Sequence, residues 1–255
     1  MRRSAAREIS ETAMSDGWDE SAAAWIAGMG ETGDFGRTCV LDVPMLARLR
    51  GRGFRRALDV GCGEGRFCRR MQDLGIATTG IDPTDALLRR ARALDPEGTY
   101  LPGRAEALPF ADGAFDLVVS YLTLIDIPDI RTAIPEMARV LGPGGTLLIA
   151  NLTSFATAGG WTEDGDGVRR FRIDDYLEER AEWAEWHGIR VRNWHRPLSL
   201  YLGLLLGQGL VLRHFDEPVP HGGEPAKVAR YRRVPWFLVM EWEKPGGMVA
   251  ASGNG

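Results

Sequence analysis

Between Ala57 and Leu152 short continuous apolar runs alternate with amphipathic segments. "ALDVG" reads as a buried strand. Phe67, Met71 and Leu74 then recur at helical spacing until Gly75. "ATTGID" is a second strand, followed by a helix with Leu87, Ala91 and Leu94 inward. "GTYLPG" and "FDLVVSYLTL" are the third and fourth strands. "IRTAIPEMARVL" is a helix, "GPGG" a turn and "TLLIANL" the fifth strand. Strands apolar throughout, with helices between them, predict a parallel sheet covered on both faces. After a helix over "PLSLYLGLLLGQG", the strands "LVLRHF" and "PWFLVMEWEK" follow without a helical crossover. They read as an antiparallel pair that brings the sheet to seven strands.

The pattern divides the chain. Residues 1–50 form an N-terminal helical cap, carried by "ESAAAWIAGMG" and "CVLDVPMLARLR". Residues 51–160 form the core, 161–196 an insert facing the substrate, 197–244 the rest of the core, and 245–255 a disordered tail. The insert is charged and aromatic with little periodicity. It holds Trp161, Trp183, Trp186 and Trp194, four of the eight tryptophans.

Composition narrows the function classes. With 44% apolar and 26% charged residues the 255-residue chain reads as globular. A net charge of -4 and no basic stripe argue against nucleic acid. Cys39, Cys62 and Cys68 lack metal or disulfide spacing, so a reducing, cytoplasmic setting is expected, with no metal. "MRRSAAREISETAM" has no apolar core of a signal peptide, and Leu198 to Leu212 is too short to span a bilayer.

The candidate chemistry begins at "LDVGCGEG". Glycines after a strand let ligand atoms approach the backbone at a helix N-terminus. Asp59 precedes Gly61, Gly63 and Gly65, and the spacing G-x-G-x-G differs from the dinucleotide fingerprint. Asp82, at the end of strand 2, suits a ribose diol or the cap of the next helix.

"LDVGCGEG", "GID", "GRAEALPFADGAFDLVVS" and "RVLGPGGTLLI", in that order, resemble the class I S-adenosylmethionine-dependent methyltransferase family over roughly Arg55 to Asn151. The resemblance implies an α/β, Rossmann-like fold. It also implies S-adenosylmethionine as cofactor and S-adenosylhomocysteine as product. By position Gly61, Gly63 and Gly65 would line the methionine part, with Asp59 near its amino group. Asp82 would hold the ribose and Pro83 pack near the adenine. Ala105 and Glu106 would contact the adenine amino group, Arg104 standing where the family often has an acid. Ser120 and Tyr121 would lie near the sulfonium. Cys62 is a compact spacer or a reactive thiol.

Outside the shared core, Trp25 either closes over the cofactor or packs the cap, and Arg37 is a carboxylate partner. Trp161 and Trp194 either face an apolar or planar acceptor or build the insert's own core. His195, with Tyr121, is the candidate catalytic group, and His195 equally suits a structural hydrogen bond; Arg196 is a candidate substrate contact. The acidic run "EDGDG" reads as a solvated turn. The expected function is methyl transfer to oxygen or nitrogen of a small molecule by a monomer or homodimer. The alternatives are a regulatory cofactor-binding protein, or a methyltransferase acting on protein or nucleic acid.

Overall fold

The computed structural model describes residues 16–30 and 32–246. The expectations for the leader sequence, and for most of the tail, lie outside them. Helix α1 (Trp18–Met29), a π-helical turn (Arg37–Leu41) and α2 (Asp42–Ala47) form the N-terminal part. Then β1 (Arg56–Val60), α3 (Arg66–Gln72), β2 (Ala77–Asp82), α4 (Asp85–Leu94), β3 (Thr99–Pro102), β4 (Phe115–Tyr121), α5 (Ile130–Val140) and β5 (Leu141–Leu152) alternate.

After α6 (Ser154–Thr157), residues 159–195 fold as two antiparallel ribbons. One pairs β6 (Gly159–Glu163) with β7 (Arg169–Ile173); the other pairs β8 (Arg180–Trp186) with β9 (Ile189–His195). Next come α7 (Leu198–Gly207), β10 (Val211–Asp216), α8 (Pro225–Tyr231) and β11 (Phe237–Glu243).

The sheet order is β10-β11-β5-β4-β1-β2-β3. The five strands from β1 to β5 pair in parallel, and β11 runs antiparallel to both β5 and β10. The fold is thus a seven-stranded, mostly parallel Rossmann-like sheet. Successive residues of the inner strands feed opposite cores. Leu58 and Val118 pack under α5 and α7, while Ala57, Leu117 and Val119 pack against Phe67 and Met71 of α3 and Met45 of α2. Burial on both faces is why these strands read as unbroken apolar runs. Asp129 caps α5, its carboxylate accepting from the Thr132 N–H at 3.1 Å.

Two local expectations change. "GPGG" does not separate α5 from a strand beginning at Thr146. Residues 142–145 interrupt the β4–β5 register, which steps from Phe115↔Leu141 to Leu117↔Thr146. The Gly144 N–H donates to the Lys244 carbonyl at 2.7 Å, so this excursion is pinned to the end of β11. The chain between the last two strands also contains α8, capped by Glu224, whose carboxylate accepts from the Ala226 and Lys227 N–H groups. Among the described residues no helix is long and apolar enough to cross a membrane.

Candidate active site

The parallel strands end together, and their C-terminal tips floor a cavity of about 420 Å³. Its roof comes from outside the sheet core: α1, the turn at Arg37, and the β8–β9 ribbon. Roof and ribbon are joined. Ser21 Oγ donates to the Arg190 carbonyl at 3.0 Å, and the Arg192 N–H donates to the Asp16 carbonyl at 2.8 Å.

The loop after β1 is drawn onto β2. The Gly61 and Cys62 N–H groups both donate to the Ile81 carbonyl, at 2.8 and 3.1 Å. Gly63 has φ +54°, and a Cβ there would meet only Leu87, at 4.0 Å. A side chain at this point would carry left-handed strain and project into space that the cleft keeps open.

Asp82 completes the loop. Its Oδ2 accepts from the Gly63 N–H at 2.9 Å and its Oδ1 from the Thr84 N–H at 2.8 Å. It does not occupy the N-cap of α4, which is Thr84. A carboxylate offers about four acceptor positions, so capacity remains for a ligand at the cleft wall. Burial raises the Asp82 pKa, and the two backbone bonds oppose that rise.

Asp59 is 1% exposed. Cys68 Sγ donates to its Oδ2 at 3.5 Å, while Oδ1 is buried without a hydrogen-bond partner. Desolvation pushes its pKa up to about 7, against the Cys68 hydrogen bond and with the Asp82 charge. An orphaned carboxyl oxygen on a cleft wall is suited to an incoming cationic donor.

Beside these acids the cleft is lined by Cys62, Pro83, Ala105 and Glu106, and by Trp25, Arg37 and Tyr121. Arg37 pairs with Asp34 at 2.9 Å and lies over the Trp25 ring, 4.7 Å from its centroid. Tyr121 donates to Asp42 Oδ1 at 2.9 Å. Arg66 grips both oxygens of Asp42 and donates from Nε to the Thr32 carbonyl at 2.7 Å. Burial and the Asp42 charge push the Tyr121 phenol well up, so it holds its proton and is not set up as a base.

Several candidate residues lie elsewhere. Gly65 is required by packing, since a Cβ there would sit 2.6 Å from the Tyr100 ring. Ser120 is fully buried inside β4. Trp161 packs edge-on against Phe171 and lines a second hollow with Phe155 and Pro235. Trp194 stacks near the Arg196 guanidinium, 4.7 Å from its ring centroid.

His195 is buried and engaged at both nitrogens. The Tyr176 carbonyl can only accept, so Nε2 donates to it at 2.9 Å; Nδ1 therefore accepts from Thr157 Oγ1 at 2.7 Å. Burial lowers its pKa. It is a structural link, not a base at the cleft. Arg196 is fully buried, pairs with Glu179 at 2.8 Å and donates to the carbonyls of Leu124, Ile127 and Pro128.

Sequence reasoning missed Asp42, Arg66, Asp126 and Asn193. Asp126 and Asn193 both line the cleft, and Asn193 Nδ2 donates to Asp126 Oδ1 at 2.5 Å. Burial and the Asp16 charge push the Asp126 pKa well above the usual carboxylate range; the Asn193 hydrogen bond and Arg37 oppose this. No group of acids, histidines or cysteines among the described residues is arranged to hold a metal ion.

Comparison with known proteins places this geometry. Residues 58–149 match the model of a methyltransferase domain. A malonyl-[acyl-carrier protein] O-methyltransferase of Erwinia pyrifoliae is 38% identical over 131 residues, 49% of this chain and 50% of that protein. An uncharacterized methyltransferase of Mycobacterium tuberculosis is 36% identical over 155 residues, 57% of this chain and 61% of that protein. The chain thus spans about half to three fifths of the length of these relatives. The crystal structure of an S-adenosylmethionine-dependent methyltransferase from Mesorhizobium loti superposes with a TM-score of 0.71 at 28% identity, covering 79% of this chain and 96% of that one. The matched domain, the strand-tip cleft and the likeness to the Mesorhizobium loti enzyme identify residues 58–149 as a methyltransferase domain, set in a fold of the S-adenosylmethionine-dependent methyltransferase kind.

Proposed function

We propose that this protein transfers a methyl group from S-adenosylmethionine to an oxygen or nitrogen atom of a small molecule. The observation that carries the reading is the pair Asp59 and Asp82. One presents a buried carboxyl oxygen without a partner; the other lies at the tip of the neighbouring strand with acceptor positions to spare.

The donor set fits the cofactor. Asp59 would hold the methionine ammonium, Gly61 and Gly63 would admit its backbone-like part, and Asp82 would accept from the ribose hydroxyls. Pro83, Ala105 and Glu106 would flank the adenine. When bound, the sulfonium supplies an activated methyl group. The protein's task is then to hold the acceptor in line with the S–CH3 bond and to exclude water, an effect worth on the order of 7–11 kcal/mol at best. A roof built from α1 and the β8–β9 ribbon suits that task.

The acceptor named for the Erwinia relative does not carry over by itself. The matched methyltransferase domain ends at residue 149, short of the β8–β9 ribbon, and begins after α1. A cleft walled by Trp18, Trp25 and Trp186 favours a small molecule with an apolar or planar body. Calorimetric titration with S-adenosylhomocysteine tests the donor half. Micromolar binding at one site is expected; no binding at millimolar ligand refutes it. Transfer of labelled methyl to a metabolite panel tests the acceptor half, and separates an enzyme from a regulatory binding protein.

A further inference from the structure

The turn after β4 carries an acid for which donor binding has no use. Asp126 lines the cleft on residues 122–128, and this segment is held from two sides. Arg196 donates from beneath to the carbonyls of Leu124, Ile127 and Pro128 at 3.0, 2.8 and 2.9 Å. From the roof, the Trp194 N–H donates to the Ile125 carbonyl at 2.7 Å, and Asn193 orients the carboxyl through Oδ1. Asp126 Oδ2 accepts no hydrogen bond from a described residue.

The charges around it are unequal. The cations lining the cleft are Arg37, Arg66 and Arg104. Each already faces an acid: Asp34 at 2.9 Å, Asp42, and Glu106 at 3.7 Å. Asp126 and Asp16 form no ion pair among the described residues, and Trp18, Trp25 and Trp186 complete the walls. A carboxylate entering here would meet like charge and aromatic faces. A hydroxyl or an amine would meet a hydrogen-bond acceptor.

We propose that Asp126 binds and deprotonates the methyl acceptor, which is therefore an alcohol, a phenol or an amine and not a carboxylate. The proposal rests on the methyl-donor reading. In the step, a lone pair on the acceptor oxygen or nitrogen forms the bond to the methyl carbon. The carbon–sulfur bond breaks with its electron pair going to sulfur, and the acceptor's proton passes to Asp126 Oδ2. Burial and the Asp16 charge favour such a role, because they raise the carboxyl's affinity for a proton. A carboxylate acceptor would need no such base. Asn193 and Arg196 are positioning residues.

Three matched probes test this on protein saturated with S-adenosylhomocysteine at pH 8: 3-phenylpropylamine, 3-phenylpropanol and 3-phenylpropionate. Calorimetry is expected to find the amine bound about tenfold or more tightly than the carboxylate. Asp126→Asn should abolish that preference and leave S-adenosylhomocysteine affinity within about threefold of wild type. Methyl transfer from S-adenosylmethionine to the amine or alcohol, reduced about 100-fold in Asp126→Asn, supports the same account. Equal or tighter binding of the carboxylate overturns it. So does a preference that survives in Asp126→Asn, or no binding of any probe at 10 mM (about the ceiling of weak recognition). Failure of wild-type protein to bind S-adenosylhomocysteine would instead remove the donor reading on which the proposal stands.

Discussion

Asp59→Asn removes an ionisable group from a position that is 1% exposed. Burial raises this carboxyl from 3.8 to about 7. Between those values the folded protein keeps a proton that the unfolded chain has released. Stability therefore falls as pH rises from about 4 to about 7, and levels off above that. At about 1.4 kcal/mol per pH unit the whole span amounts to about 4 kcal/mol, as an upper bound. Asparagine has no such dependence. The ligand-free variant is expected to exceed wild type at pH 8 by about 1–4 kcal/mol, with the gap closing toward pH 5. It should bind S-adenosylhomocysteine about 10–100-fold more weakly, having lost a charge-assisted hydrogen bond worth about 1.5–3 kcal/mol. Urea unfolding followed by tryptophan fluorescence at pH 5 to 8, with calorimetry on both proteins, measures both effects. A variant less stable than wild type at pH 8, or one with undiminished ligand affinity, refutes the assignment of Asp59. Proton release on ligand binding to wild type at pH 6, read from buffers of different ionisation enthalpy, is the corresponding linkage effect.

Asp82→Asn leaves only one carbonyl oxygen for the Gly63 and Thr84 N–H groups and for the ribose; S-adenosylhomocysteine affinity should fall about 10–100-fold by calorimetry. His195→Phe strands the Tyr176 carbonyl and leaves the Thr157 hydroxyl only its longer bond to the Ser154 carbonyl. It should cost about 1–3 kcal/mol in chemical denaturation while S-adenosylhomocysteine affinity stays within about twofold of wild type. Arg66→Ala leaves the Asp42 charge buried without its partner. A loss of about 3–5 kcal/mol is expected, partly restored by adding Asp42→Asn.

Strands β1 and β4, and β5 from Thr146 on, were legible because burial on both faces leaves an apolar run that no amphipathic helix imitates. In the antiparallel ending only β11 is buried along its length; β10 stands mostly exposed at the sheet edge and was legible from its apolar residues and the missing helical crossover. The ribbons of residues 159–195 were not. The strands β6, β7 and β8 stand mostly exposed with no regular alternation, so the period-two signal of a sheet packed on one side is absent. Within the site, Asp59, Gly61, Gly63 and Asp82 are marked by local spacing after a strand. His195 and Arg196 look chemically available in the sequence, yet their partners, Thr157, Tyr176 and the carbonyls at 124–128, are main-chain or distant groups that no motif announces. Asp42 owes its place to Arg66 and Tyr121, 24 and 79 residues away. Asp126 owes its orientation to Asn193, 67 residues on. Such pairs exist only once the roof has folded over the sheet.

A crystal structure of the protein with S-adenosylhomocysteine tests the central claim most directly. The account predicts the ligand's amino group on Asp59 Oδ1, its ribose hydroxyls on Asp82 and its sulfur turned toward Tyr121 and Asp126. A ligand bound elsewhere, or one in this cleft that touches neither Asp59 nor Asp82, would contradict it.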